Sequence, residues 1–181
     1  MSFLDASIGD VVAEIAQGAW FAACGDELTE SERSDARLLA GGLGFAGTAV
    51  ASVADWRDAA RVTQRPDWSR AWWEAESAAE ARLKSELFAR YGEASALEQL
   101  SRVTLAAAAL NGAAAIALAR ANLADEALAR VAAGAAAQSC HQAALAHASD
   151  AGAVHPFAVK FRLFAGGRWP LGVVGGSLFV F

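Results

Sequence analysis

The sequence has little of what disulfide-rich, metal-bound or membrane-spanning proteins require. Its two cysteines, Cys24 and Cys140, lie far apart without metal-binding or redox spacing, which predicts reduced thiols. The first ten residues, MSFLDASIGD, contain neither a basic cluster nor an apolar segment, so no signal peptide is predicted. The uncharged, mostly alanine run over residues 103–118 is shorter than the roughly 20 apolar residues of a spanning helix. We interpret it as a central helix buried on every side, and predict a cytoplasmic protein without a membrane span.

Acidic residues are absent after residue 150, where the chain carries Lys160, Arg162 and Arg168. The rest of the chain is acidic, and the net charge is −5. Nucleic-acid binding normally requires a basic face, so no nucleic-acid partner is predicted. A basic tail beside an acidic body fits docking onto that body or onto a neighbouring copy.

Apolar residues recur at helical spacing through most of the 181-residue chain. Helices are expected at about 6–23, 29–62, 67–91, 95–118 and 125–149, the second with a bend at Gly41 and Gly42. Capping boxes are predicted where Thr29 precedes Glu32 and where Ser95 precedes Glu98. The fold class is therefore mainly α, an antiparallel bundle of about five helices.

The last residues read differently from the bundle. We divide the chain into a helical bundle, 1–152, and an extended or β-hairpin-like tail, 153–181, within one domain. Residues 159–163 alternate as in a strand, and the glycine pairs 166–167 and 175–176 predict turns. The chain ends in four apolar residues, which a protein seldom leaves in water. The tail is expected to pack on its own body, on another copy or on a partner.

A few polar residues could carry chemistry. Gln138 and His141 share one helical face, and Asn111 interrupts an apolar helix, so His141 could act as a base with two orienting amides. No nucleophile accompanies them, so the catalytic residues and any enzymatic activity are left open. Cys140 and His147 also share a face, but two ligands are too few for a metal, and no metal or cofactor is predicted.

Two further patterns are interpreted as structural. Residues 42–47 fit G-x-G-x-x-G, yet a charged helical segment precedes them where a dinucleotide site needs a strand. We interpret the glycines Gly44 and Gly47 as positions of close helix packing. Glu76 and Glu80, with basic residues nearby, are interpreted as a solvated helix face.

Aromatic residues provide the candidate binding positions. Trp73 lies at the flank of its helix beside Arg70 and Glu74, where it could form the lip of a pocket or an anchor for a partner. In the tail, Pro170 fixes φ and Gly172 allows a turn, which predicts that Trp169 and Leu171 are presented rigidly. The candidate binding residues are Arg70, Trp72, Trp73, Glu74, Trp169, Leu171, Phe179 and Phe181.

These observations favour a protein that acts by binding, either self-assembling or engaging a protein partner through its apolar basic tail and acidic body. The alternative is a small enzyme or small-molecule-binding protein. Its pocket would lie between helices, lined by tryptophans and polarised by His141, Gln138 and Asn111. A third possibility is attachment of the tail to a membrane surface.

Overall fold

Helices make up most of the computed structural model, which describes residues 3–181. The helices are α1 (Phe3–Gln17), α2 (Glu30–Gly42), α3 (Trp56–Thr63), α4 (Arg70–Tyr91), α5 (Glu93–Ala107), α6 (Leu110–Arg120), α7 (Glu126–Ala148) and α8 (Pro156–Ala165). The strands are β1 (Ala49–Ser52), β2 (Pro170–Val174) and β3 (Ser177–Val180). The predicted fold class, mainly α with short strands near the C-terminus, is confirmed.

Helix α7 lies at the centre of the bundle and packs against α1, α4, α5, α6 and α8. Its inward positions are small, with Ala132, Ala136, Cys140 and Ala143 fully buried. Small side chains let the surrounding helices approach closely, so the core is filled mainly by larger residues from those neighbours. Asp125 caps α7, since its carboxylate accepts a hydrogen bond from the Leu128 amide at 2.9 Å.

The two predicted capping boxes have different outcomes. At α2 the box is formed: the Glu32 amide donates to Thr29 Oγ1 at 3.2 Å, and the Thr29 amide donates to Glu32 Oε2 at 2.7 Å. The box at Ser95 is wrong, because α5 already begins at Glu93. Gly92 ends α4 with φ 81° and starts α5 directly, so Ser95 lies inside the helix.

The expected long helix over 29–62 is interrupted. The chain leaves α2 at Gly42, forms β1 and begins α3 at Trp56. Gly44 and Gly47 have φ of 90° and 86°, and a Cβ at either would meet nothing within 4 Å. The close-packing interpretation of these two glycines is therefore wrong, since they turn the backbone toward the sheet.

The sheet has the order β1-β3-β2, with β3 in the middle. Strand β3 is parallel to β1, with Ala49 opposite Ser177, and antiparallel to β2, with Val174 opposite Ser177. The predicted turn at Gly175 and Gly176 joins β2 to β3, and both glycines have positive φ. The sheet thus joins residues near position 50 to the final residues of the chain.

The first part of the tail is helical, so the predicted strand over 159–163 is wrong. His155 caps α8 by accepting a hydrogen bond from the Phe157 amide at 3.2 Å, and Pro156 occupies the first turn, which it suits. Nearly every residue of α8 is buried, so the helix shows no amphipathic period. The tail packs on its own body, and Trp169 and Phe181 are almost completely buried there.

Helices α5 and α6 form one nearly continuous segment with an irregular turn at Ala108 and Ala109. Within residues 3–181, this is the one helical segment, Glu93–Arg120, whose length and composition would allow it to cross a membrane. Only 28% of its most apolar window is buried. The prediction of a helix buried on every side is therefore wrong, because α5 and α6 lie at the outside of the bundle.

Candidate functional site

The outer side of α5 and α6 is an apolar surface open to solvent. Leu105 is 75% exposed and Ile116 is 54% exposed. Helical spacing aligns them with small exposed residues on the same side of the segment. We call this surface the α5–α6 face; it consists of Leu105, Ala108, Ala109, Gly112, Ala115, Ile116 and Ala119.

The inner side of the same segment is buried. The positions that the sequence assigns to the buried stripe, among them Val103, Leu110 and Leu118, are indeed enclosed. They pack toward α1 and α7. Residues 103–119 contain no charged residue, so the outer side lacks the charged groups that normally cover an exposed helix.

Two of the three polar candidates lie together. His141 and Asn111 line a groove of about 350 Å³ between α5–α6 and α7, whereas Gln138 is exposed and lies outside its lining. Burial lowers the pKa of His141, which favours the neutral imidazole. Asn111 Nδ2 donates to the Ala108 carbonyl at 3.3 Å, and the lining hydroxyl, Thr104, donates to Leu100 of its own helix. The groove thus holds a base but no activated nucleophile within its described lining.

The two candidate metal ligands, Cys140 and His147, lie in different environments. Cys140 is fully buried, and burial raises the pKa of its thiol to about 12, so it stays protonated. His147 instead lines a pocket with Glu14 and Asp150. Across residues 3–181, no group of three or more His, Cys, Asp or Glu side chains is arranged to hold a metal ion.

The aromatic cluster on α4 divides between core and surface. Trp72 is buried, whereas Trp73 is 43% exposed with its ring centroid 5.9 Å from that of Trp68. Arg70 and Glu74 form an exposed ion pair at 2.7 Å. Such a surface pair contributes little to stability, and Trp73 packs at the surface against the ring of Trp68.

The tail candidates lie inside the molecule. Trp169, Leu171 and Phe181 are buried, and Phe181 packs edge-to-face against Trp56 at 4.9 Å between ring centroids. Phe179 is half-buried, and the guanidinium of Arg65 lies 5.7 Å from its ring centre. These side chains therefore contribute to the core and leave little apolar surface for a partner.

A buried polar cluster joins the tail to α4 and α7, and sequence reasoning missed it. Lys160 Nζ lies 2.8 Å from Glu76 Oε1 and donates to Gln142 Oε1 at 3.2 Å, while Gln142 Nε2 donates to Glu80 Oε2 at 3.1 Å. Lys160, Glu76 and Gln142 are all buried, so the interpretation of Glu76 as part of a solvated face is wrong. The sequence did hold a signal, since Glu76 lies four residues after buried Trp72 and seven before buried Leu83.

Each cation of the tail contacts an acidic group of the body. Besides Lys160 with Glu76, Arg162 pairs with Asp35 at 2.7 Å and Arg168 with Glu32 at 2.7 Å. The buried Arg168 guanidinium also donates to the carbonyls of residues 23, 26 and 27 in the α1–α2 connection. The charge asymmetry seen in the sequence thus serves to dock the tail on its own body.

Glu32 links the cap of α2 to the tail. Burial raises the pKa of Glu32, but the hydrogen bonds from Arg168 and Thr29 outweigh this effect and hold it below its usual value. The charged carboxylate is therefore the form that both contacts favour.

No family model matches the chain, and no curated protein or solved structure matches it significantly. The function must therefore be inferred from the chemistry of the surfaces described above.

Proposed function

We propose that the protein acts by binding, and that it self-associates in the cytoplasm by packing the α5–α6 face against the same face of a second copy. The observation that supports this proposal is the exposure of Leu105 and Ile116 on an uncharged helical surface. Exposed contiguous apolar surface is typical of protein–protein contacts. The free thiols of Cys24 and Cys140 suit a reducing compartment.

Charge favours a second copy as the occupant of this face. Each molecule carries a net charge of −5, so two copies repel one another over most of their surfaces. The α5–α6 face lies within a stretch that has no charge from residue 103 to residue 119. It is therefore a surface on which two copies can meet without placing like charges in contact.

The shape of the face also suits a symmetric pair. A two-fold axis across the segment makes the two helical segments antiparallel, which opposes their macrodipoles. Gly112 has open space where a Cβ would lie, and Ala108 and Ala109 are small, so the backbones can approach closely there. Leu105 of one copy would then pack beside the small residues of the other.

The size of the face indicates a reversible dimer. The face, over residues 105–119, is about 22 Å long and about 10 Å wide. It would bury about 200 Å² per copy, which is below the size of stable interfaces and typical of a weak, reversible contact. We therefore expect a dissociation constant of about 10 μM or weaker.

The tail is not the surface of self-association, although its apolar end in the sequence predicts partner binding. Its large side chains are covered by its own body, and its three cations are paired with carboxylates of the same chain.

The test is sedimentation velocity of the full chain from micromolar to near-millimolar concentration. The wild type should show a concentration-dependent dimer, and Leu105→Glu should be monomeric because each introduced carboxylate would be buried against the small apolar residues of the other copy. Val154→Glu is the matched control, since Val154 is 72% exposed and lies outside the face. It should dimerise like the wild type, and thermal melting should confirm that both variants fold.

Two results would overturn the proposal. One is a wild-type monomer at every concentration, and the other is equal dimerisation of the wild type and Leu105→Glu. Sedimentation of a monomeric wild type with phosphatidylcholine vesicles, abolished by Leu105→Glu, would make a lipid surface the occupant instead.

A further inference from the structure

Another concave surface lies on the flank of α6, between this helix and residues 18–24. We call it the aromatic groove; its volume is about 470 Å³, within the range of about 300–1,000 Å³ typical of small-molecule sites. Trp20, Phe21 and Trp56 line one side, and Ile116 and Ala117 line the other. The groove thus combines aromatic and aliphatic walls.

The aromatic side is held in place by its surroundings. Trp20 Nε1 donates to the Ile15 carbonyl at 2.8 Å, and its indole covers Gly18 so closely that a Cβ there would lie 2.5 Å from the ring nitrogen. Phe21 has φ 63°, a conformation that bulky side chains rarely adopt. Its ring lies 6.0 Å from that of Trp56. Strained backbone of this kind persists only where packing imposes it, and it is concentrated at binding sites.

The groove carries one positive charge. Arg120 is the single charged residue among the described residues that line it, and its guanidinium forms no ion pair or hydrogen bond within residues 3–181. Cys24 also lines the groove, but burial raises the pKa of its thiol to about 12, so it adds no negative charge at neutral pH. Trp56 is almost completely buried, and its indole N–H donates to no acceptor within residues 3–181.

We propose that the aromatic groove binds a small apolar carboxylate, with the apolar body of the ligand against Trp20, Phe21 and Trp56 and its carboxylate on Arg120. Aromatic faces contribute most to binding an apolar ring, and a free guanidinium is the side chain that best matches a carboxylate. A neutral ligand of the same shape would leave Arg120 without its partner. An amine would meet an uncompensated positive charge.

The experiment compares 2-naphthoate with its neutral analogue 2-naphthamide by isothermal titration calorimetry. It is run on the full chain and on Leu105→Glu, so that self-association does not enter the result. We expect naphthoate to bind about tenfold more tightly than the amide, because one charge-assisted hydrogen-bonded pair distinguishes them. Arg120→Gln should remove this preference, whereas Arg57→Gln should retain it, since Arg57 is exposed and lies outside the lining.

A second variant tests where the apolar body of the ligand binds. Ala117→Phe should fill the groove and abolish binding of both compounds, with thermal melting used to confirm that the variant is folded. The proposal is overturned if naphthoate does not bind at millimolar concentration, or if Arg120→Gln binds both compounds as the wild type does. Undiminished binding to a folded Ala117→Phe would also overturn it.

Discussion

The tail and the α5–α6 segment are both strongly apolar, yet the protein covers one and leaves much of the other in water. The tail contributes large rings such as Phe161 and Trp169, which are buried. The outer side of α5–α6 consists mostly of alanine and glycine, with Leu105 and Ile116 as its large exposed residues. Each aromatic side chain buries about 150–250 Å², whereas an alanine buries little. Side-chain size, more than the length of an apolar run, thus decides which region the fold must enclose.

Replacing one large residue in each region gives the sharpest contrast. Trp169→Ala should lower the free energy of unfolding by about 3–5 kcal/mol, because it leaves a cavity among packed rings. Ile116→Ala should cost less than about 1 kcal/mol, since the side chain is mostly exposed. Urea unfolding followed by fluorescence and circular dichroism measures both. Equal losses would show that the two regions are enclosed to the same degree.

The buried ion pair tests how the tail is anchored. Lys160→Met should cost about 3 kcal/mol, because it leaves the Glu76 carboxylate buried without a cation. A double variant with Lys160→Met and Glu76→Leu should recover most of that loss, since no charge remains buried. Urea unfolding of the single and double variants provides the measurement. A single variant as stable as the wild type would contradict the importance of this pair.

Acidification should destabilise the start of α8, which His155 caps. Burial, with Arg82 nearby, lowers the pKa of His155 below its ordinary value near 6.5. The unfolded chain therefore binds a proton more readily than the folded one, and the stability that depends on neutral His155 falls as pH drops below about 6.5. Thermal melting between pH 7.5 and pH 5 should show a smaller decrease for His155→Asn, which can still cap α8. The same slope in both proteins would exclude this role for His155.

The smallest effect is expected on the outer side of α5–α6. Leu105→Gln should change the free energy of unfolding by no more than about 0.5 kcal/mol, because the wild-type side chain is largely in water. Urea unfolding at a low protein concentration measures this value for the monomer. A loss above about 2 kcal/mol would mean that Leu105 is enclosed.

The parts of the fold that could be predicted are those specified by neighbouring residues. The Thr29–Glu32 box, the cap at Asp125 and the inner stripe of α5–α6 all depend on residues within a few turns of one another. Helix α8 could not be recognised from periodicity, because a helix buried on nearly all sides has no polar face. The alternation of apolar and basic residues over 159–163 predicts a strand with one polar face. The sequence does not show that Lys160 is buried, so this pattern was misleading.

The candidate sites depended on which distant elements come together. His141 and Asn111 line one groove, because the helices that carry them pack side by side, but the groove contains neither Gln138 nor a tryptophan of the predicted pocket. The pairing of Lys160 with Glu76 joins α8 to α4, 84 residues apart in the chain, which no local pattern specifies. The aromatic groove likewise combines residues 18–24 with α6, far apart in the chain.

The position of β3 has a consequence for the order of folding. The middle strand of the sheet lies beyond every other described helix and strand in the chain, and β1 pairs with β3 alone. The parallel pair therefore forms only when residues near position 50 meet residues near position 178, which is a strongly non-local contact. During refolding, β1 is expected to stay hydrogen-bonded to water, and open to proteases, until the sheet forms.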